Sequence, residues 1–184
     1  MLPTWEEPDP RALEGDLADQ LLDHRIIIVG GSLNDALADR AAAQLLLLGR
    51  RSHQPIEMHL TCPGSELSAA LSLADAVDLV SAPVNAVVRG ILKGPAVAVL
   101  CAARQRVAHR NALLVLSLPS VSAEGTGQML AAAAEQHERQ VAQLRARLVS
   151  ATGRGDEQVG ADLEAGKLFT AEEALAYGLV QEVR

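Results

Sequence analysis

Aromatic side chains are almost missing from this chain: one Trp, one Tyr and one Phe, 2% of 184 residues. Platforms on which nucleobases could stack are therefore lacking, and any core has to be built from Leu, Val, Ile and Ala. Basic runs are lacking too. The formal net charge is -7, and no Lys/Arg stretch is long enough to follow a phosphate backbone, so nucleic acid is excluded as a partner. No uncharged apolar stretch reaches the roughly 18 residues that signal a membrane span, so no membrane association is expected. The opening Met1-Leu2-Pro3-Thr4-Trp5-Glu6-Glu7 is acidic and has no basic-then-apolar pattern of a secretory signal, which implies a cytoplasmic protein. There are only two cysteines, Cys62 and Cys101, both in apolar surroundings. In a reducing compartment they read as buried free thiols rather than a disulfide. No Cys/His grouping has the spacing of a metal site, and no cofactor is expected.

What is present is a globular composition, 49% apolar and 21% charged, in a length that suits one domain. Residues 1 to about 15 are rich in Pro, Glu and Asp and read as an irregular arm; residues 16–184 read as one domain. Arg25-Ile26-Ile27-Ile28-Val29 is a strand-like run closed by Gly30-Gly31. Asn34 opens a helix with Leu37, Ala41, Leu45 and Leu48 on one face, ended by Gly49. A second strand runs from Ile56 to Thr61, then Pro63-Gly64, then a helix carrying Leu67, Ala70, Leu71, Ala74 and Val77. After Pro83 comes a third strand, Val84 to Val88, and Gly90 leads into an apolar helix from Pro95 to Ala103. Leu113 to Leu116 is a fourth strand. A long helix over about 128–150 has Leu130, Val141, Leu144 and Leu148 on one face. Thr170-Ala171-Glu172-Glu173 is a capping box for a helix that stops at Gly178, and Leu179-Val180 begins a last strand. Such alternation implies an α/β domain with mostly parallel strands.

The order and content of these units resemble the ClpP family, the proteolytic subunits of Clp protease, from about Leu21 to Val183. Leu22-Asp23-His24-Arg25-Ile26-Ile27 with Gly30-Gly31 and Asn34-Asp35 is similar to that family's first strand and turn. Cys62-Pro63-Gly64-Ser65 resembles its Ser-Pro-Gly-Gly turn, and Thr152-Gly153 closes the long helix as in the family. Phe169-Thr170-Ala171-Glu172-Glu173-Ala174 with Tyr177-Gly178-Leu179-Val180 resembles its C-terminal signature. The resemblance implies a ClpP/crotonase-like fold with mostly parallel sheets and a projecting handle helix. It also implies serine-protease chemistry in stacked seven-membered rings fed by unfoldase ATPases.

Placed against the family's catalytic pattern, the chain departs at nearly every position. Where the family has its nucleophile, in Gly-x-Ala-Ala-Ser-Met-Gly, this sequence has Gly90-Ile91-Leu92-Lys93-Gly94-Pro95-Ala96. Gly94 offers no attacking atom, and no serine lies between Ser81 and Ser117. The family's histidine position, in Asn-Ser-x-x-Met-Ile-His-Gln-Pro, falls on Ser117 within Asn111 to Pro119, and a hydroxyl cannot accept a proton as imidazole does. His109 and His137, the nearest histidines, read as solvated side chains. Asp162 matches the triad acid but has no imidazole to orient and reads as a structural carboxylate. One oxyanion-hole donor in the family is the N–H after the nucleophile; here that residue is Pro95, which has none. The other falls on Ser65, in place of a glycine.

The family's surface pockets for its ATPases match Glu57, His59 and Arg89 here, and charges at those positions disfavour docking of an apolar loop. An alternative reading makes Glu57 and Arg89 a solvated pair on a surface strand. The family's ring-to-ring Arg-Asp pair is replaced by Ala165 and Gly166, which tells against standard stacking. The expectation is a non-catalytic subunit that forms a homo-oligomer, a heptameric ring or a stack of two, alone or mixed with an active ClpP paralogue. Two alternatives stay open. One is a hydrolase using Ser117 with Lys93; the other is a crotonase-like acyl-CoA binder, against which Pro95 also counts.

Overall fold

Consecutive apolar, β-branched segments make the spine of the molecule, because strands buried on their helix-covered side need such residues at every second position. The computed structural model describes residues 10–120 and 124–184. Strands β1 (Ile26–Gly30), β2 (Ile56–Cys62), β3 (Val84–Lys93), β4 (Gln105–Ala108) and β7 (Glu182–Val183) lie side by side in that order, all parallel. Between them run helices α2 (Asp35–Arg51), α3 (Leu67–Leu79) and the short α4 (Val97–Ala102). Ile27, Val29, Met58, Leu60, Ala86 and Val88 on the strands meet Leu45, Leu48, Leu73 and Leu100 on the helices in one buried cluster. Removing a side chain such as Leu73 from this cluster costs about 2–5 kcal/mol.

Three sequence expectations are corrected here. Helix α1 (Pro10–Asp23) occupies part of the segment expected to be an irregular arm; proline suits a first helical turn because its missing N–H has no intrahelical partner there. Residues 1–9 of the expected arm lie outside the described residues. Helix α2 runs past Gly49 to Arg51, where the Ser52 N–H caps the Leu48 carbonyl. Strand β3 does not end at Val88. Gly90, with φ +65°, is a kink inside it rather than a lead into a helix, as glycine in a strand often marks a bulge. The register shift between Leu60 and Cys62 of β2 accompanies that kink. The first half of β3 pairs with β4, and the second half, Ile91 to Lys93, with β5 (Leu113–Val115). The antiparallel β6 (Leu168–Thr170) then pairs with β5.

Helix α5 (Gly127–Thr152) is the long helix expected over 128–150; Thr126 caps its start and Gly153 its end. Its second half packs on α3 and α4 through Leu144 and Leu148, while Met129 and Leu130 near its start stay exposed. Arg147 fastens it down by pairing with Asp75 and with Asp78 (2.7 Å) of α3. Helices α6 (Asp156–Glu164) and α7 (Ala171–Tyr177) complete the chain, the latter with both bonds of the Thr170–Glu173 capping box.

Candidate functional site

Two strand-to-helix turns and one strand end converge on a cleft of about 400 Å³. After β2, Pro63-Gly64-Ser65 turns into α3; after β3, Gly94-Pro95-Ala96 forms a single 3-10 turn into α4; after β5, Ser117 to Ser120 closes the third side. Gly94 has φ +68°, the left-handed backbone that admits glycine without penalty. A Cβ placed there would stand 3.4 Å from Ser117 Oγ and 3.6 Å from Ser65 Oγ. Residues 65, 94 and 117, far apart in sequence, therefore share one small volume, and Lys93, exposed, lines its rim. Ser117 is fixed by its flanks: Leu116 N–H donates to the Lys167 carbonyl at 2.9 Å and Leu118 N–H to the Leu163 carbonyl at 3.2 Å.

Ser65 is a clip between the two turns. Its hydroxyl donates to the Lys93 carbonyl at 3.0 Å and accepts the Ala96 N–H at 2.9 Å. The opening turn before α4 thus presents no proton donor from Pro95, which has no N–H, and the Ala96 donor is already satisfied internally. Ser65 does not take the left-handed backbone, since Arg25 is the only non-glycine with positive φ among the described residues.

Asp162 faces a different neighbourhood. One carboxylate oxygen accepts Lys167 Nζ at 2.8 Å and the other accepts the Tyr177 hydroxyl at 2.7 Å. Burial acts to raise its pKa, but the bonds from Lys167 and Tyr177 and the nearby charges of Lys167 and Arg154 outweigh it and hold the carboxyl below the usual range. Burial, then the bond to Asp162, pushes the Tyr177 hydroxyl well above its ordinary value. Arg154 stands 5.0 Å over the Tyr177 ring, whose centroid is 4.7 Å from that of Phe169. This knot joins α6, β6 and α7, and among the described residues Asp162 is not part of the cleft wall.

His109 follows β4 and is exposed; His137 sits on α5 in the groove beside Leu118 and Pro119. Among the described residues neither has a side-chain bond to Ser117. Glu57 does not pair with Arg89: its carboxylate contacts His59 Nε2 at 2.5 Å, two residues along the same strand. Among the described residues, His59 Nδ1 is buried without a hydrogen-bond partner. Arg89 joins His109, Arg110, Asn111 and Arg184 around a separate cleft. Sequence reasoning missed that grouping, because it depends on the register of β3, β4 and β7. Cys62 is buried and Cys101 partly so, both free. Burial raises their pKa values to about 11 and about 12, against a smaller opposing effect of a backbone bond at Thr61 and of Arg106 and Arg147 respectively, so neither is a nucleophile at neutral pH.

Comparison with known proteins matches residues 11–184 to the family model described as Clp protease. The chain is 32% identical over 170 residues to an ATP-dependent Clp protease proteolytic subunit 3 of Rhodococcus jostii, an alignment covering 91% of this chain and 84% of that protein. It is 32% identical over 186 residues to proteolytic subunit 1 of Streptomyces avermitilis, covering 95% and 86%. Against the proteolytic subunit of Dehalococcoides mccartyi it is 32% identical over 171 residues, covering 91% and 86%.

Proposed function

Because the chain belongs to the Clp protease family, we propose that it is a proteolytic-subunit homologue without catalysis of its own, acting as an assembly subunit. One observation carries this reading: the turn from β3 into α4 lacks a side chain at Gly94 and an N–H at Pro95, and its Ala96 N–H is bonded to Ser65 Oγ. Acyl transfer needs a nucleophile beside a base and preorganised donors for the developing oxyanion. Losing one such donor lowers kcat by about 100- to 1,000-fold even where the nucleophile is intact.

The reading extends to assembly. The subunit forms a homo-oligomeric ring, a heptamer or a stack of two, alone or with an active paralogue, and works in the cytoplasm. The exposed Met129 and Leu130 on the outer half of α5 supply apolar surface for helix packing between subunits. No described helix is long and apolar enough to cross a membrane. Glu57, His59 and Arg89 disfavour an apolar ATPase loop, since such a loop would have to desolvate charge.

A second reading, hydrolysis by Ser117 with Lys93, draws on their common cleft. It still lacks a donor at Pro95, and Ser117 Oγ has no bond to Lys93 Nζ among the described residues. An acyl-CoA binder meets the same obstacle at Pro95. Native mass spectrometry combined with a fluorogenic-peptide and acyl-thioester assay tests the proposal. The expected result is a particle of seven or fourteen times the 19.4 kDa chain with hydrolysis at the buffer rate. A monomer at micromolar concentration contradicts the assembly, and turnover abolished by Ser117→Ala contradicts the loss of catalysis.

A further inference from the structure

We propose that the cleft formed by Arg89, His109, Arg110, Asn111 and Arg184 is a docking site for an acidic peptide segment of a partner protein. Its volume is about 530 Å³. The backbone sets Arg89, His109 and Arg184 in a row. Val88 of β3, Ala108 of β4 and Val183 of β7 stand level with one another, and the first two are buried against the helices. The residue after each, Arg89 within β3 and His109 and Arg184 just past β4 and β7, is exposed on the solvent side. Three backbone bonds hold the row: His109 N–H to the Val88 carbonyl at 3.0 Å, Arg184 N–H to the Ala108 carbonyl at 2.9 Å, and Arg110 N–H to the Arg184 carbonyl at 2.7 Å.

Among the described residues, only Arg184 of the three arginines has an ion-pair partner: it pairs with Glu182 at 2.7 Å and also feels the nearby Glu57 carboxylate, which is hydrogen-bonded to His59. Arg89 and Arg110 are exposed and have no side-chain partner among the described residues. Arg89, Arg110 and Arg184 crowd positive charge around one cleft, and like charges held close together repel. A carboxylate-bearing ligand relieves that repulsion and can take guanidinium groups in bidentate fashion.

Peptide is favoured over nucleic acid by the scale of the patch. The chain as a whole carries -7, and screening beyond about 8 Å at physiological salt leaves a local patch free to act. A short acidic segment meets only that patch, whereas a polyanion long enough to bind by its phosphates runs onto acidic surface. The proposal is independent of whether the Ser117 cleft is catalytically empty.

The test is fluorescence anisotropy of a labelled ten-residue peptide of alternating Glu and Gly, titrated with the full chain at low salt, with a Gln/Gly peptide as reference. Expected results are saturable binding of the Glu peptide alone, loss of affinity as salt rises, and at least tenfold weakening in the Arg89→Gln/Arg110→Gln double variant. Arg50→Gln, at the far end of α2, should bind as the parent does. Thermal unfolding of the free double variant is the folding check, and it should melt no lower than the parent. Equal binding of both peptides, or parental affinity in the double variant, overturns the proposal. So does a lower melting temperature, which would assign the two arginines a structural role. Inorganic phosphate or a single-stranded oligonucleotide binding these residues more tightly than the Glu peptide also overturns it, in favour of a small-anion or nucleic-acid site.

Discussion

At the scale of single residues, Gly94 in the cleft and Asp162 in the knot outside it lend themselves to separate tests. Gly94 sits at φ +68° with Ser117 Oγ an ordinary contact distance from where its Cβ would be. The Cβ of Gly94→Ser therefore meets only ordinary contacts, and its backbone strain is about 1–2 kcal/mol. Chemical denaturation should show that loss, and peptide hydrolysis should stay at background because the new hydroxyl would face Ser117 rather than a base. Asp162 has a pKa held down in the folded chain. A depressed carboxylate contributes stability that is present above its unfolded value of about 3.9 and is lost as pH falls through the folded value. Asp162→Asn should cost about 1–3 kcal/mol at neutral pH, and the gap to the parent should narrow below about pH 4. Denaturation midpoints at pH 7 and pH 3.5 check both statements. A gap unchanged with pH would mean that the contacts of Lys167 and Tyr177 do not depend on the charge.

At the scale of elements, the handle helix shows how little of its length is fastened. Arg147 is mostly covered while Asp75 and Asp78 are well exposed, so solvent discounts the pairing, and Arg147→Ala should destabilise the fold by about 1 kcal/mol. Hydrogen exchange should localise the effect to α5. Helices α2, α3, α5 and α7 were legible in the sequence because their signals are local: Asn34 accepts the Leu37 N–H, and the Thr170–Glu173 box forms as spaced. Strand β3 was misread for the opposite reason. Gly90 resembles a stop in sequence, and only the change of partner from β4 to β5 reveals it as a kink. Strands β4 and β6 and helix α6 carried no periodic signal long enough to be singled out. Within the site, the absences at Gly94 and Pro95 were visible as residue types. The Ser65 clip was not, since it joins turns far apart in sequence.

At the scale of the molecule, a family match over residues 11–184 coexists with a cleft that has no side chain at Gly94 and no N–H at Pro95. The core explains how this is possible. Its buried side chains are aliphatic save for Phe169, Tyr177 and a few sulfur-bearing residues, and none is polar or charged among the described ones, so the fold draws its stability from packing that Gly94, Ser117 and Asp162 do not supply. Intact-mass measurement after exposure to a fluorophosphonate, a reagent that bonds covalently to activated serines, tests the central claim most directly. The mass of the assembled protein should remain that of the unmodified chain after prolonged treatment. A stoichiometric adduct on Ser117 or Ser65, formed in the native protein and not in the denatured one, would contradict it.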